Sequence, residues 1–224
     1  MIVVYKVCIL LGVLLLVYLS TLVLIRTIAD NIKDRKLNIH TKGFRSWEKG
    51  SLYNRAESTP YLALESLVQK YKFTDKDSLV DFGAGKGRVS IFIHHRCGIP
   101  VTGVELNELT YEDAVDNVNS YLDKYGINTG IKIEKEYAEK YKIKNDENKF
   151  FFFNPFNVVI FKEVVENILE NAKEHGKEID IILYYPIDEY VDFLKDTPLK
   201  LYKNIKTHGA IFPSEHFRIY KFIP

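Results

Sequence analysis

The fold of this chain is decided by residues 78–88, which read SLVDFGAGKGR. A short apolar run ends in Asp81, three glycines follow at alternate positions, and a helical pattern of apolar residues begins at Val89. Glycine adopts positive φ and has no Cβ, so such a turn lets a ligand approach the backbone closely. This order predicts a strand, a tight loop and a helix, with a ligand site beyond the carboxyl end of the strand.

The spacing of the glycines and the positions of two acids narrow the choice of ligand. Dinucleotide-binding folds have G-x-G-x-x-G, whereas this loop has G-x-G-x-G. Asp81, directly before the loop, disfavours a phosphate and favours an ammonium or sulfonium group. A second apolar run ends in Glu105, where a carboxylate can accept both hydroxyls of a ribose. A cationic amino-acid end together with a ribose describes S-adenosylmethionine.

Two motifs carry a resemblance to a known family. The sequence DFGAGKGR at 81–88, followed by GVELN at 103–107, resembles the first two motifs of class I S-adenosylmethionine-dependent methyltransferases, over about residues 60–222. The resemblance implies an α/β fold, a mostly parallel seven-stranded Rossmann-like sheet with helices on both faces. It also implies an enzyme that transfers a methyl group from this cofactor. The alternative is a generic Rossmann-like turn that binds a nucleotide or nothing.

The resemblance also implies which residues contact the cofactor. They are Asp81, Phe82, Gly83, Ala84, Gly85, Gly87, Glu105, Leu106, Tyr137 and Asn154. Many relatives carry an acid after the third strand that contacts the adenine amino group. Glu136, Tyr137 and Glu139 stand there in this chain, and the choice among them stays open.

A second site-bearing stretch follows the apolar run of four phenylalanines at 150–153. It reads Asn154-Pro155-Phe156-Asn157. The residue before a proline is expected to be extended, which would fix Asn154 and the backbone carbonyls at the end of a strand. These could accept hydrogen bonds from an amino group while Phe156 stacks on a planar substrate. The stretch resembles the Asn-Pro-Pro-Tyr type motif of methyltransferases that act on exocyclic amines and amide nitrogens, with phenylalanine in place of the second proline. The alternative is a strand-ending turn.

The N-terminus predicts a membrane anchor, assigned to residues 1–26. Residues 7–25 are uncharged and long enough to span the hydrocarbon core of a bilayer. A signal peptide would have a shorter apolar region and a small-residue cleavage site, and a buried core helix would show a polar face. Arg26, Lys33, Arg35 and Lys36 follow the span, so the positive-inside rule places the rest of the chain in the cytoplasm.

Residues 27–57 are polar and predict a juxtamembrane linker that becomes ordered against a methyltransferase domain at 58–224. The aromatic residues Phe44, Trp47 and Tyr53 are more than a free linker needs. In the family that the motifs resemble, such segments cover the cofactor or shape the substrate site, which makes Tyr53, Arg55 and Tyr61 candidates. Simple packing of these aromatics on the domain is the alternative. Thr59 and Pro60 predict a helix start with Thr59 as the cap.

The composition limits the partners. The net charge of +1 gives no basic excess, so a nucleic-acid substrate is not expected. The histidines and the two cysteines show no ligand spacing, so no metal is expected. The substrate is then a small molecule or the amino group of a protein. A protein lysine methyltransferase is one alternative, and an anchored module that binds cofactor without catalysis is another.

Overall fold

The computed structural model describes residues 2–43 and 52–224, and of residues 2 and 3 it gives the backbone alone. The predicted packing of Phe44 and Trp47 lies outside the described residues. In chain order the elements are α1 (Ile2–Leu37), α2 (Tyr61–Lys70), β1 (Leu79–Phe82), α3 (Arg88–Cys97), β2 (Val101–Glu105), α4 (Glu108–Tyr125), β3 (Ile131–Lys135), β4 (Lys149–Phe152), α5 (Val158–Glu174), β5 (Ile179–Tyr184), α6 (Asp188–Lys195), β6 (Lys200–Lys206) and β7 (His216–Phe222).

The described strands form one seven-stranded sheet in the order β3-β2-β1-β4-β5-β7-β6. The neighbours from β3 to β5 are parallel, and β7 is antiparallel to both β5 and β6. This confirms the α/β fold class predicted from the sequence. The strand order reverses between β1 and β4, and an open α/β sheet offers its ligand crevice at such a point.

Burial on both faces explains why the central strands are continuous apolar runs. One face of the sheet packs with α3 and α4, for example through Ile91 and Ala114, and the other packs with α5 and α6. Strand β4 supplies Phe150 and Phe152 to the second layer, and Phe161 of α5 stacks on Tyr190 of α6 with ring centroids 3.7 Å apart. A parallel strand that is covered on both sides has no solvated face and therefore no polar alternation.

Helix α1 is longer than the apolar run that predicted it. It continues through residues 27–37, which the sequence assigned to a linker, and ends at Leu37. Its apolar window has a mean hydropathy of 2.8 and is 0% buried, and within the described residues it is the one helix long and apolar enough to cross a membrane. The last turns pack instead on the sheet domain, where Leu37 and Asp34 are buried.

A buried arginine connects the end of α1 to the glycine loop. Arg88, the first residue of α3, donates to Asp30 (3.1 Å) and to Asp34 (3.5 Å) from its two terminal nitrogens. Its Nε donates to the hydroxyl of Thr41 at 2.6 Å, and its Nη1 also donates to the carbonyl of Thr59 at 3.3 Å. These partners satisfy a guanidinium that is almost inaccessible to water. The polar residues after the span are helical because the domain supplies their partners.

The start of α2 differs from its prediction. The N-cap position is Pro60, not Thr59, and no side chain of the cap residue itself accepts a hydrogen bond there. Asp30 of α1 takes that role across the interface, since its Oδ1 accepts from the backbone N–H of Tyr61 at 3.1 Å. Tyr61 is 2% exposed and its hydroxyl donates to Asp34 at 2.7 Å. Tyr61 is therefore a core residue at the α1 interface, and its assignment as a site candidate is wrong.

We predict that Asp34→Ala destabilises the full-length protein by about 3–5 kcal/mol, because it leaves Arg88 and the hydroxyls of Thr41 and Tyr61 without their shared acceptor. For a chain of this size the thermal unfolding midpoint should fall by roughly 10 °C, measured by circular dichroism in detergent. Asp192→Ala, which removes an exposed ion pair with Lys195, is the matched control and should leave the midpoint unchanged. Equal midpoints for both variants would contradict the role of the Arg88 cluster.

Candidate functional site

The glycines of the loop are needed for its own backbone conformation and packing, and not solely to leave room for a ligand. Gly83 has φ +72°, and a Cβ there would lie 2.3 Å from the Cβ of Pro155. Gly87 has φ +82° and forms the N-cap of α3. Its backbone N–H donates to Ala84, and it packs beside Ala114. Both glycines are therefore needed for their positive φ. At Gly83 the close contact with Pro155 of the β4 turn is a second reason.

Asp81 is the penultimate residue of β1 and is 2% exposed. Its carboxylate accepts a hydrogen bond from the hydroxyl of Ser90 at 2.8 Å. Within residues 2–43 and 52–224 no basic side chain forms an ion pair with it. Burial, and secondarily the charge of Glu105, raises the pKa of Asp81 to about 7. A buried carboxylate that no cation neutralises favours a cationic ligand.

Glu105 lies at the end of β2, next to β1 in the sheet, and is 6% exposed. Its Oε2 accepts from the backbone N–H of Gly85 at 2.9 Å, and its Oε1 accepts from the N–H of Asn107 at 2.8 Å. Burial raises the pKa of Glu105, and these amide hydrogen bonds offset part of the rise. Each oxygen has two lone pairs, so the fixed carboxylate can still accept further hydrogen bonds from a ligand.

Residues 52–59 cover the glycine loop. A cleft of about 50 Å³, which we call the glycine-loop cleft, is lined by residues 53–59 and 83–86 together with Asp81, Glu105 and Leu106. Tyr53 forms a single β-bridge with Phe156, and Ala56 lies over Gly85. Ligand pockets commonly measure about 300–1,000 Å³. In this arrangement the cleft is therefore smaller than a nucleoside needs.

Asn54 donates hydrogen bonds to the two backbone carbonyls that were predicted to accept from a substrate amino group. Its backbone N–H donates to the carbonyl of Pro155 at 2.9 Å, and its Nδ2 donates to the carbonyl of Asn154 at 2.9 Å. Nothing in the sequence pointed to Asn54, because it lies a hundred residues before its partners. The donors of Asn54 have the same chemistry as the amino group expected there.

Two expectations about the β4 turn are corrected. Asn154 has φ +42° and is not extended; its Nδ2 donates to the carbonyl of Tyr185, which compensates for the unfavourable conformation before a proline. Phe156 is 0% exposed, with Tyr53 and Phe152 at its edges. Its ring is enclosed, so a planar substrate cannot stack on it in this arrangement.

The stretch after β3 places one of the three adenine candidates in the glycine-loop cleft. Glu136 lines the cleft. The ring of Tyr137 is 43% exposed and lies beside Lys140, outside the lining of that cleft. Glu139 accepts from the hydroxyl of Tyr53 at 2.7 Å. The geometry therefore favours Glu136 over Tyr137 and Glu139.

The predicted cofactor residues divide into two groups. Asp81, Gly83, Ala84, Gly85, Glu105 and Leu106 line the glycine-loop cleft. Phe82, Gly87, Tyr137 and Asn154 are not in its lining: Phe82 stacks on Phe152 in the sheet core, and Asn154 borders a neighbouring cleft. Arg55, a candidate from the sequence, also lines the cleft. Ser90, Asn54 and residues 56–59 were missed. Ser90 could have been predicted, because it is a polar residue in the first turn of α3, directly after the glycine loop. In the described part of the chain no group of His, Cys, Asp or Glu could hold a metal ion.

Comparisons with known proteins identify the fold. No protein-family model matches the chain, and no curated protein matches it. Solved structures do, among them a human methyltransferase 10 domain containing protein, with TM-score 0.60 and 9% identity over 90% of this chain and 97% of that one. The precorrin-6y C5,15-methyltransferase of Geobacter metallireducens has TM-score 0.55 and 15% identity over 81% and 93% of the two chains.

A third solved structure agrees with these two. It is an rRNA methylase of Streptococcus thermophilus, with TM-score 0.51 and 14% identity over 75% of this chain and 99% of that one. At such low identity the likeness concerns the fold alone. The chain has the class I methyltransferase fold.

We predict that Gly83→Ala destabilises the protein more than Gly98→Ala. Both glycines have φ near +70°, so alanine costs roughly 1–2 kcal/mol of backbone strain at either position. At Gly98 an added Cβ meets nothing within 4 Å, whereas at Gly83 it overlaps Pro155. The overlap should add about 1–3 kcal/mol, measured by thermal unfolding of the full-length protein. Equal losses of stability would show that Pro155 does not pack against the loop as described.

Proposed function

We propose that this chain, which has the class I methyltransferase fold, is an S-adenosylmethionine-dependent N-methyltransferase, held in a membrane by α1 with its sheet domain in the cytoplasm. One observation carries the proposal. Two buried carboxylates, Asp81 and Glu105, lie at or next to the carboxyl ends of adjacent strands beside the glycine loop, and Asp81 has no cationic partner among the described residues.

The residues present fit this cofactor. Its cationic amino-acid end would neutralise Asp81, whose carboxylate is held by Ser90. Its ribose hydroxyls would donate to Glu105, which the amides of Gly85 and Asn107 fix in place. Glu136 lines the same cleft and would accept from the adenine amino group. The donor set therefore suits a ligand with one positive end and several hydroxyl donors.

When bound, S-adenosylmethionine supplies a methyl group on a sulfonium: the lone pair of a neutral amine forms the new C–N bond, the S–C electron pair stays on sulfur, and the extra proton leaves the nitrogen to water. The chain contributes alignment, which can supply most of the rate of such a transfer. We assign the acceptor nitrogen to the turn of Asn154 and Pro155. Their carbonyls already accept from the amide donors of Asn54, and an outward movement of residues 52–59 would release both carbonyls to the substrate.

The membrane anchor is supported by the exposure of α1. Its apolar window is entirely unburied, and soluble proteins rarely leave a contiguous apolar surface of this kind in water. Basic residues follow the apolar run at Arg26, Lys33 and Arg35. This order is typical of a span whose C-terminal side faces the cytoplasm.

Titration calorimetry of the full-length protein in detergent tests the cofactor. We expect binding of S-adenosylmethionine and S-adenosylhomocysteine and no binding of NAD or ATP. Glu105→Ala should weaken the binding roughly 30-fold, because hydrogen bonds to a charged acceptor contribute about 2 kcal/mol. Asp192→Ala, on the exposed face of α6, should bind like the wild type. Unchanged affinity in Glu105→Ala would contradict the role of Glu105, and no selective binding by the folded protein would contradict the cofactor.

The affinity for S-adenosylmethionine should depend on pH through Asp81. The pKa of this carboxyl in the free protein is about 7, and a cationic ligand binds its ionised form. Above pH 7 the carboxylate is already present, whereas below pH 7 binding must release a proton. The dissociation constant should therefore rise roughly 25-fold between pH 7.5 and pH 5.5. In Asp81→Asn the affinity should be lower at pH 7.5 and nearly flat with pH. A flat profile in the wild type would remove Asp81 from the cofactor site.

A further inference from the structure

A second cleft adjoins the glycine-loop cleft on the other side of residues 54–57. This inner cleft measures about 520 Å³ and has the ends of β4 and β5 as its floor, with Phe153, Asn154, Tyr184 and Tyr185. Asn54, Arg55, Glu57 and Phe153 line both clefts. Residues 54–57 separate the two clefts, and the outward movement proposed for them would bring a small polar group in the inner cleft next to the cofactor.

Two features of the inner cleft indicate that it binds a ligand. The hydroxyl of Tyr184 is buried and has no hydrogen-bond partner among the described residues, and an unsatisfied buried hydroxyl costs free energy. Asn154 and Tyr185 both have positive φ, +42° and +52°. Such strain in non-glycine residues is concentrated at functional sites. Phe153 packs on Tyr184, so the unpaired hydroxyl lies at the edge of an aromatic wall.

An outer cleft of about 420 Å³ continues the inner one toward α1. The two share Arg26, Glu57, Phe212 and Glu215, and the outer cleft also contacts Val23 in the apolar run. Arg26 donates to Glu215 at 2.7 Å, which ties the loop between β6 and β7 to α1 directly after that run. Phe212, in the same loop, is 53% exposed.

The position along α1 places the outer cleft at the level of lipid headgroups. Its helical lining runs from Val23 to Asn31, so at about 1.5 Å per residue it extends roughly 9 Å past Ile25. The headgroup region on each side of a bilayer is about 5–8 Å thick. The cleft therefore opens where a molecule held in the membrane presents its polar head.

We propose that the methyl acceptor is a membrane amphiphile: its amino head occupies the inner cleft near Tyr184 and Asn154, and its apolar chain leaves through the outer cleft, past Val23 and Phe212, into the bilayer. The inference rests on the proposed function and names the substrate class of that site. The inner cleft has hydroxyl and amide groups at its floor. The outer cleft is lined by Val23, Ile211 and Phe212 beside charged residues, so the apolar chain would follow these three side chains past the ion pair of Arg26 and Glu215. A flexible segment of a membrane protein is the competing occupant.

The first test asks where the loop between β6 and β7 lies, without any catalysis. The fluorophore nitrobenzoxadiazole is attached to Phe212→Cys in the full-length protein, with Cys8 and Cys97 replaced by serine, in vesicles of phosphatidylcholine that contain a doxyl-labelled lipid quencher. Tyr202→Cys is the matched control, because Tyr202 on β6 is 56% exposed and outside both clefts. We expect at least threefold stronger quenching at position 212. Equal quenching at the two positions overturns the membrane-level outlet.

The second test follows the methyl group. Membranes of the source organism are incubated with full-length protein and methyl-labelled S-adenosylmethionine, digested exhaustively with protease, and extracted with organic solvent. We expect the label in the organic fraction as a discrete lipid-like species. Label in peptides or in the aqueous fraction overturns the amphiphile while leaving the methyltransferase in place. No label in any fraction, from protein that binds the cofactor, overturns both.

A conservative variant tests whether the labelled acceptor binds in the inner cleft. Tyr184→Phe removes only the unpaired hydroxyl and should lower the kcat/KM for the extracted acceptor at least tenfold, with an unchanged dissociation constant for S-adenosylmethionine. Tyr121→Phe is the control, since the Tyr121 hydroxyl contacts His94 beside α4, away from the clefts. Wild-type kcat/KM in Tyr184→Phe would remove this hydroxyl from acceptor binding.

Discussion

The structure depends on the buried guanidinium of Arg88. Arg88 is the first residue of the helix that follows the glycine loop, and its charge is neutralised by Asp30 and Asp34 of the N-terminal helix. A charge out of water is tolerated only with close partners and hydrogen bonds, and here all of them come from α1 and the segment after it. The end of α1 is thereby packed into the domain and joined to the helix that follows the glycine loop.

The same small region contains acids in two different electrostatic states. Asp30 and Asp34 face a guanidinium, whereas Asp81, on the other side of the glycine loop from Arg88, accepts from Ser90 and has no cationic partner among the described residues. If the fold needed Asp81 for stability alone, a basic partner would be expected, because an unpaired buried carboxylate is unfavourable. The arrangement is understandable if a cation arrives with the ligand. In the function proposed above, residues 53–59 would be a movable wall between the cofactor and its acceptor.

Much of this was predictable from the sequence where the signal is local. Residues 78–88 and 101–105 predicted two strands and a loop because apolar runs, an acid and glycines follow one another directly. The helical extension of α1 to Leu37 was not predictable, since its polar residues find their partners far along the chain. The enclosure of Phe156 by Tyr53 and the capture of two carbonyls by Asn54 depend on contacts across about one hundred residues. Motif resemblance could indicate these positions but not which partner occupies them.

The most direct test is a crystal structure of the full-length protein with S-adenosylhomocysteine. The account predicts the ribose hydroxyls at hydrogen-bond distance from the Glu105 carboxylate, the amino group beside Asp81, and residues 52–59 displaced outward from the loop. A ligand bound elsewhere, or one that leaves Asp81 without a cationic neighbour, would contradict it.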